Sequence, residues 1–334
     1  MTISKKELKM KRTTKTWTAP IAVMAAVLIA AGYAYSGSLE PTTPPSSGGT
    51  MKTLDQVEPR IPIPGATVAA GTYTISASGS YYLTGDRLCS GQGFGIYADN
   101  VTIDLCGYSL VGSGSSGSGI TIYGRSNVEI RNGTIRSFKW HGIAENNTND
   151  NAKNHSIIGI RVIGNGIGSV NYHGISLTGR NHHIVDCTAA ENGGTGISVG
   201  EGSLVSNNTA RSNGASGIHA SIGCTVTANT SSLNGNLGIS TGAGCTVTNN
   251  TVYSNTSYGI YCSGGTIKGN TSRANSLGIY AGEKSSVIGN TVIDNTGIGI
   301  YCSSNCLIDQ NTSVGNGAAN LSASGCTLGT NHAP

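Results

Sequence analysis

A Gly-Ile pair returns along this chain at nearly constant spacing, and that period limits the fold more than any other feature. Its isoleucines are Ile96, Ile120, Ile143, Ile175, Ile197, Ile218, Ile239, Ile260, Ile279 and Ile300, with Leu321 in the next place. From Ile175 onward the steps are 22, 21, 21, 21, 19, 21 and 21 residues. A second aliphatic column keeps the same phase: Ile184, Val205, Val226, Val247, Ile267, Val287, Ile308 and Leu328. A unit of this length holds short alternating strands, as in Cys245-Thr246-Val247-Thr248, where Val247 points inward and the threonines outward. One unit cannot bury its apolar face alone, so units must stack, with strands repeating at ~4.8 Å along an axis. The period predicts an all-β chain, a single-stranded right-handed parallel β-helix solenoid of about eleven coils, mostly 19–24 residues each.

Two asparagine columns accompany the aliphatic ones. The first reads Cys187, Asn208, Asn229, Asn250, Asn270, Asn290, Asn311 and Asn331, and the second Asn192, Asn213, Asn234, Asn255, Asn275, Asn295 and Asn316. Asparagine tolerates left-handed backbone and bonds to nearby main chain. These columns therefore mark turns, and their stacked amides form ladders from coil to coil. Asn-x-Ser/Thr triplets such as Asn229-Thr230-Ser231 mostly coincide with the ladder and read as structural. Charged residues make up only 11% of the chain and aromatic residues 5%, which suits a narrow core of small and branched side chains.

The N-terminus has a different character. Lys5, Lys6, Lys9, Lys11, Arg12 and Lys15 precede the apolar run PIAVMAAVLIAAGYA, which ends at Tyr35-Ser36-Gly37. That order is the basic region, apolar core and small-residue exit of a secretory signal. The run is short for a membrane span, which needs about 20 residues; a retained N-terminal membrane anchor is the alternative. Residues 1–36 are read as a signal peptide, 37–64 as flexible linker and lead-in, and 65–90 as an N-terminal cap or first irregular coil. The β-helix then occupies 91–334, with an insertion around 144–170. The expected location is secreted or at the cell surface. The formal charge of +4 owes most to the leader, since the remainder carries 14 basic and 15 acidic residues. The body therefore offers no case for nucleic acid as a partner.

The coil GIYCSGGTIKGNTSRAN at 259–275, with its neighbours over roughly 90–331, resembles the right-handed parallel β-helix superfamily that contains pectate lyases, and most closely its NosD-like short-repeat members. The resemblance implies the fold. For function it implies a range: polysaccharide lyases, hydrolases, epimerases, phage tailspikes and noncatalytic surface proteins. A calcium-dependent lyase implies clustered outward carboxylates beside a basic residue, and calcium enters only under that reading. Asp99, Asp104 and Glu129 lie on early coils without forming a convincing cluster, and no family catalytic motif carries over.

The nine cysteines fall largely on inward columns. Cys224 with Cys245, Cys306 with Cys326, and Cys302 with Cys306 are the pairs that spacing permits, and small buried fillers are the alternative. No metal is assigned to them and no cofactor is expected.

Two regions stand out as sites. Tyr261, Tyr280 and Tyr301 follow the Gly-Ile pair on three successive coils, with Tyr97 in the corresponding place upstream and His219 between. Such a stripe binds the apolar faces of sugars or stabilises stacked strands. The 32-residue step from Ile143 to Ile175 disturbs the repeat and concentrates ionisable residues. There His141 and His173, with Lys139 and Arg180, are the candidate base and uronate-neutralising residues, and Trp140 and Tyr172 extend the carbohydrate-binding set. Glu145 falls at a nominally inward position. The sequence thus points first to an exported module bound to extracellular polysaccharide or cell-envelope glycan. The alternatives are a lyase or epimerase acting on uronic-acid polymers, and a noncatalytic structural surface protein that associates end to end.

Overall fold

The computed structural model describes residues 60–146 and 152–334. The leader, the linker to residue 59 and the centre of the disturbed segment lie outside the described residues. Among the described residues every regular element is a β-strand and every strand pairing is parallel. Two sheets share the stack: a 23-stranded sheet that supplies two strands per coil, and a 12-stranded sheet that supplies one. The second sheet counts the coils, from Tyr73–Ile75 through Phe94–Ile96, Ile120–Tyr123, Ile143–Asn146 and Ile175–Leu177 to Ala319–Ala323.

The two aliphatic columns are its core. Ile175, Ile197, Ile218, Ile239, Ile260, Ile279, Ile300 and Leu321 stack in unbroken register. The second column also extends backward, from Ile184 through Ile157, Ile130 and Ile103 to Tyr81. Nearly all of these side chains are buried. The glycine before each isoleucine has a steric cause: a Cβ on Gly278 would collide with Val292 and with the carbonyl of Gly299.

Three expectations are corrected. The stack begins at Ile61, within the segment read as lead-in. Ile61–Ile63, Ala66–Ala70 and Tyr73–Ile75 already pair with the next coil, with a register shift only between Ala66 and Ala70. This adds a twelfth coil. Ile96 does not occupy the isoleucine column: Phe94 pairs with Ile120, and Ile96 with Ile122. Gly95-Ile96 imitates the repeat two residues out of phase, and Tyr97 accordingly stands two places beyond the row of Tyr261. The insertion around 144–170 is not one loop. Ser156–Ile163 is an ordinary rung, in register with Val128–Arg136 below and His183–Val185 above. The extra length splits around it. Ile143 to Ser156 takes 13 residues where Ile197 to Leu204 takes 7, and Ile163 to Ile175 takes 12 where Arg211 to Ile218 takes 7.

Both asparagine ladders form. Asn229 Oδ1 accepts the backbone N–H of Asn208 at 2.9 Å and its Nδ2–H at 3.0 Å, while Asn229 Nδ2 donates to the Val205 carbonyl at 2.9 Å. The second ladder starts one coil earlier than expected, at Asn165, which accepts the N–H of Phe138. Left-handed backbone falls on the residue before each ladder asparagine but the last, such as Asn207, Ala228 and Asn249, and not on the ladder residue itself. The left-handed residue makes the bend, which turns the next side chain inward. There its amide satisfies the main-chain groups that the bend removes from strand pairing.

Candidate functional site

A third ladder runs up the turn that leads from the second sheet into the first, and it joins residues of three kinds. His155 Nδ1 accepts the N–H of Val128 and His182 Nδ1 that of His155, each at 3.2 Å. Ser203 Oγ accepts the N–H of His182 at 3.0 Å, and Cys245 Sγ that of Cys224 at 3.3 Å. The thiols also donate outward, Cys224 to the Gly200 carbonyl at 3.2 Å and Cys306 to that of Gly282 at 3.2 Å. Cys187 takes an asparagine's place in the first ladder, donating to the Ile157 carbonyl at 3.5 Å. These cysteines are thus hydrogen-bonding turn residues as well as fillers, and all nine are free thiols. Burial pushes the Cys187 thiol up to about 12, the state of an unreactive structural cysteine.

His141 and His173 are brought together, as the sequence suggested, with ring centroids 5.4 Å apart. They too form a ladder: His141 Nδ1 accepts the N–H of His173 and His173 Nδ1 that of Thr195, both at 2.9 Å. Accepting at Nδ1 places the neutral ring's proton on Nε2. Neither ring therefore presents a free basic nitrogen in this arrangement. Burial, with His173 beside it, pushes His141 down to about 4, and burial also lowers His173. Lys139 and Arg180 are exposed on opposite margins of the second sheet, so the four candidate catalytic residues do not converge. Arg180 instead lines a shallow polar cleft of about 280 Å³ with Thr178, Gly179, Gly200, Glu201 and Ser221.

The early carboxylates do not fit calcium. Asp104 Oδ2 lies 3.1 Å from Arg131 Nε and 3.7 Å from Arg60, and its Oδ1 accepts the N–H of Cys106. Glu129 pairs with Arg131 at 3.0 Å, and Asp99 accepts the N–H of Ser126. Each is engaged within the fold: Asp104 and Glu129 meet at the Arg131 guanidinium, and Asp99 binds main chain apart from them.

Aromatic side chains gather on the outer face and margins of the second sheet. Tyr261, Tyr280 and Tyr301 align in register. Their rings stack at 4.8 Å and 5.2 Å with interplanar angles of 12° and 17°, and Tyr258 joins at 6.0 Å from Tyr280. Each ring covers its neighbour's face. Tyr280 is sandwiched, and open faces remain only at the ends of the row, on Tyr261 beside Ser240 and on Tyr301 beside Ser322. The stripe therefore presents a row of ring edges and hydroxyls with two open ends. Trp140 and Tyr172 stack at 6.2 Å, with Trp140 44% exposed. Tyr97 and Tyr123 stack at 4.4 Å. The Tyr123 partner escaped sequence reading because the Gly95-Ile96 phase error hid it.

A family model described as "Right handed beta helix region" matches residues 74–221 and 173–316. Among solved structures, the chain is similar to the Azotobacter vinelandii mannuronan C-5 epimerase AlgE4 A-module, at TM-score 0.62 and 14% identity over 81% of this chain and 91% of that one. The A. vinelandii AlgE6 A-module gives TM-score 0.54 at 14% identity, over 81% of this chain and 91% of that one. A mutant form of the periplasmic alginate epimerase AlgG gives TM-score 0.54 at 15% identity, over 81% of this chain and 76% of that one. At these identities the likeness is one of fold. No curated protein sequence matches the chain.

Proposed function

The chain belongs to the right-handed β-helix region family, and from its outer surface we propose that it is an exported module that binds extracellular polysaccharide along the outer face and margins of the second sheet. The observation that carries this reading is the clustering there of eight aromatic side chains: Tyr97, Tyr123, Trp140, Tyr172, Tyr258, Tyr261, Tyr280 and Tyr301. Aromatic residues are only 5% of the chain, and these eight share the face and margins of one sheet. Rings that are half apolar and half polar suit sugars, which present C–H faces and hydroxyl rims. Rigid coils fix their spacing, so binding needs little loop ordering. The leader at 1–36 supports delivery to the cell exterior, as a secreted or surface-held protein.

The runner-up is a lyase or epimerase acting on uronic-acid polymers. The cleft of Arg180 and Glu201 favours it, because a cation and a carboxylate there share one polar recess. One experiment separates the two: the full exported chain on a glycan array, with a parallel turnover screen on uronic polymers. Binding without turnover supports the module. Turnover that Arg180→Ala abolishes moves the function to the cleft, and neither binding nor turnover leaves a structural surface protein.

A further inference from the structure

The core column of the second sheet is aliphatic from coil to coil until the fourth, where Glu145 pairs in register with Ile122 and points into the same interior. Its side chain is fully buried, as are those of His155 and His182 beside it. The imidazole rings stack at 5.0 Å and 12°. Glu145 Oε1 lies 3.2 Å from His155 Nε2, and Oε2 lies 3.7 Å from His182 Nε2. Both contacts are off the line of a full hydrogen bond, and Glu145 Oε1 and the two Nε2 atoms stay otherwise unpartnered. Oε2 also accepts the N–H of Gly179 and, at 3.4 Å, the hydroxyl of Thr178. Gly179 is a wall of the polar cleft.

The ladder fixes the protons. Both Nδ1 atoms accept a backbone N–H, so each neutral ring carries its proton on Nε2, facing the glutamate. That tautomer rules out metal ligation through Nε2, because the nitrogen lone pair is not available. It also makes further protonation costly. A second proton on His182 must sit on Nδ1, against the N–H of His155 that already points there. The facing groups are Glu145, from the strand Ile143–Asn146, His155 from the turn below, and the Ser203 hydroxyl from the turn above. Among the described residues no other charged side chain is paired with the cluster.

We propose that Glu145, His155 and His182 form a proton-responsive joint, which holds the fourth and fifth coils and the cleft wall together at neutral pH and loosens them in mild acid. Burial lowers His182 to about 4, against the pull of Glu145. Burial raises Glu145, but bonding from His155 and from the Gly179 N–H, with both histidines beside it, outweighs burial and leaves the carboxyl below its usual range. A histidine depressed on folding stabilises fully above its unfolded value, ~6.5, and loses that contribution as pH falls toward its folded one. For His182 this is roughly a 150-fold loss in the folding equilibrium constant from pH 7.5 to 4. Glu145 adds a loss of the same sign at lower pH.

The test is equilibrium unfolding of the full chain from pH 7.5 to 4. The wild type is compared with the triple variant Glu145→Ile, His155→Ser and His182→Ser, which carries Ile122's residue type at Glu145 and that of Ser203 at both histidines. The wild-type folding constant is expected to fall about 150-fold more than the variant's; parallel profiles overturn the proposal. If the variant does not fold, nitrogen NMR of histidine-labelled wild type decides at pH 6. A neutral His182 ring with the proton on Nε2 supports the joint, and a charged His182 ring or a proton on its Nδ1 overturns it.

Discussion

Replacing Asn250 with leucine tests whether the interior ladders hold the stack. Asn250 is 1% exposed, in the middle of the first ladder. Its Oδ1 accepts the Asn229 N–H at 2.9 Å and Nδ2–H at 3.0 Å. Its Nδ2 donates to the Val226 carbonyl at 2.9 Å and to Asn270 Oδ1 at 3.0 Å. Leucine removes all four. Asn229 Nδ2 keeps its bonds to Val205 and Thr227, and Asn270 Oδ1 keeps the N–H of residue 250. The Asn229 N–H and the Val226 carbonyl are left buried and short of a partner, at about 1–3 kcal/mol each. The expected loss is therefore about 2–6 kcal/mol. Thr248→Ala is the control. It lies one turn away, half-buried, and loses only a hydroxyl bond to Thr227 at 3.0 Å, about 1 kcal/mol. Urea unfolding of both variants, with the slope checked for constancy, reads the difference. Equal small shifts in midpoint would refute the claim that the ladder amides, and not the aliphatic columns alone, hold the coils together.

Tyr280→Ala removes a ring stacked on both sides and is expected to cost about 1–3 kcal/mol from two aromatic pairs, read by thermal unfolding; no change would show that the row contributes nothing to stability. His141→Asn keeps an acceptor for the His173 N–H but removes a group that burial holds near 4. Since a depressed histidine stabilises above ~6.5 and less as pH falls, wild-type melting temperature should drop more steeply from pH 6.5 to 4 than the variant's, and superimposable curves would exclude a neutral, buried His141. Mass spectrometry of the native exported product should find its first residue near Gly37; intact Met1 in a membrane fraction would instead establish an anchor.

Much of this fold was legible because it repeats. The isoleucine and asparagine columns each place one residue type at one position coil after coil, so period alone revealed them. The third ladder was illegible for the opposite reason. His155, His182, Ser203 and Cys224 share a position and a task, accepting a main-chain N–H or donating to a carbonyl, but they share no side-chain type. Glu145 was correctly placed as nominally inward, yet its partners were hidden behind the lengthened turn between Ile143 and Ser156. Ile96 misled because inward positions recur every two residues along a strand, so a Gly-Ile pair two residues late still looks like core. The tyrosine row was found in sequence, but sequence carries no ring orientation. In-register side chains on parallel coils stack face on face, so the stripe offers edges with two open ends.

Calorimetric titration along the second sheet tests the proposed function most directly. The ligand is a glycan selected on an array with the full exported chain, and the variants are Trp140→Ala and Tyr301→Ala, which remove an exposed indole and an open-ended ring without touching the aliphatic columns. The account predicts weaker binding in each and weaker still in the double variant, with circular dichroism unchanged. Wild-type affinity in both folded variants would contradict it and take the polysaccharide site away from this face.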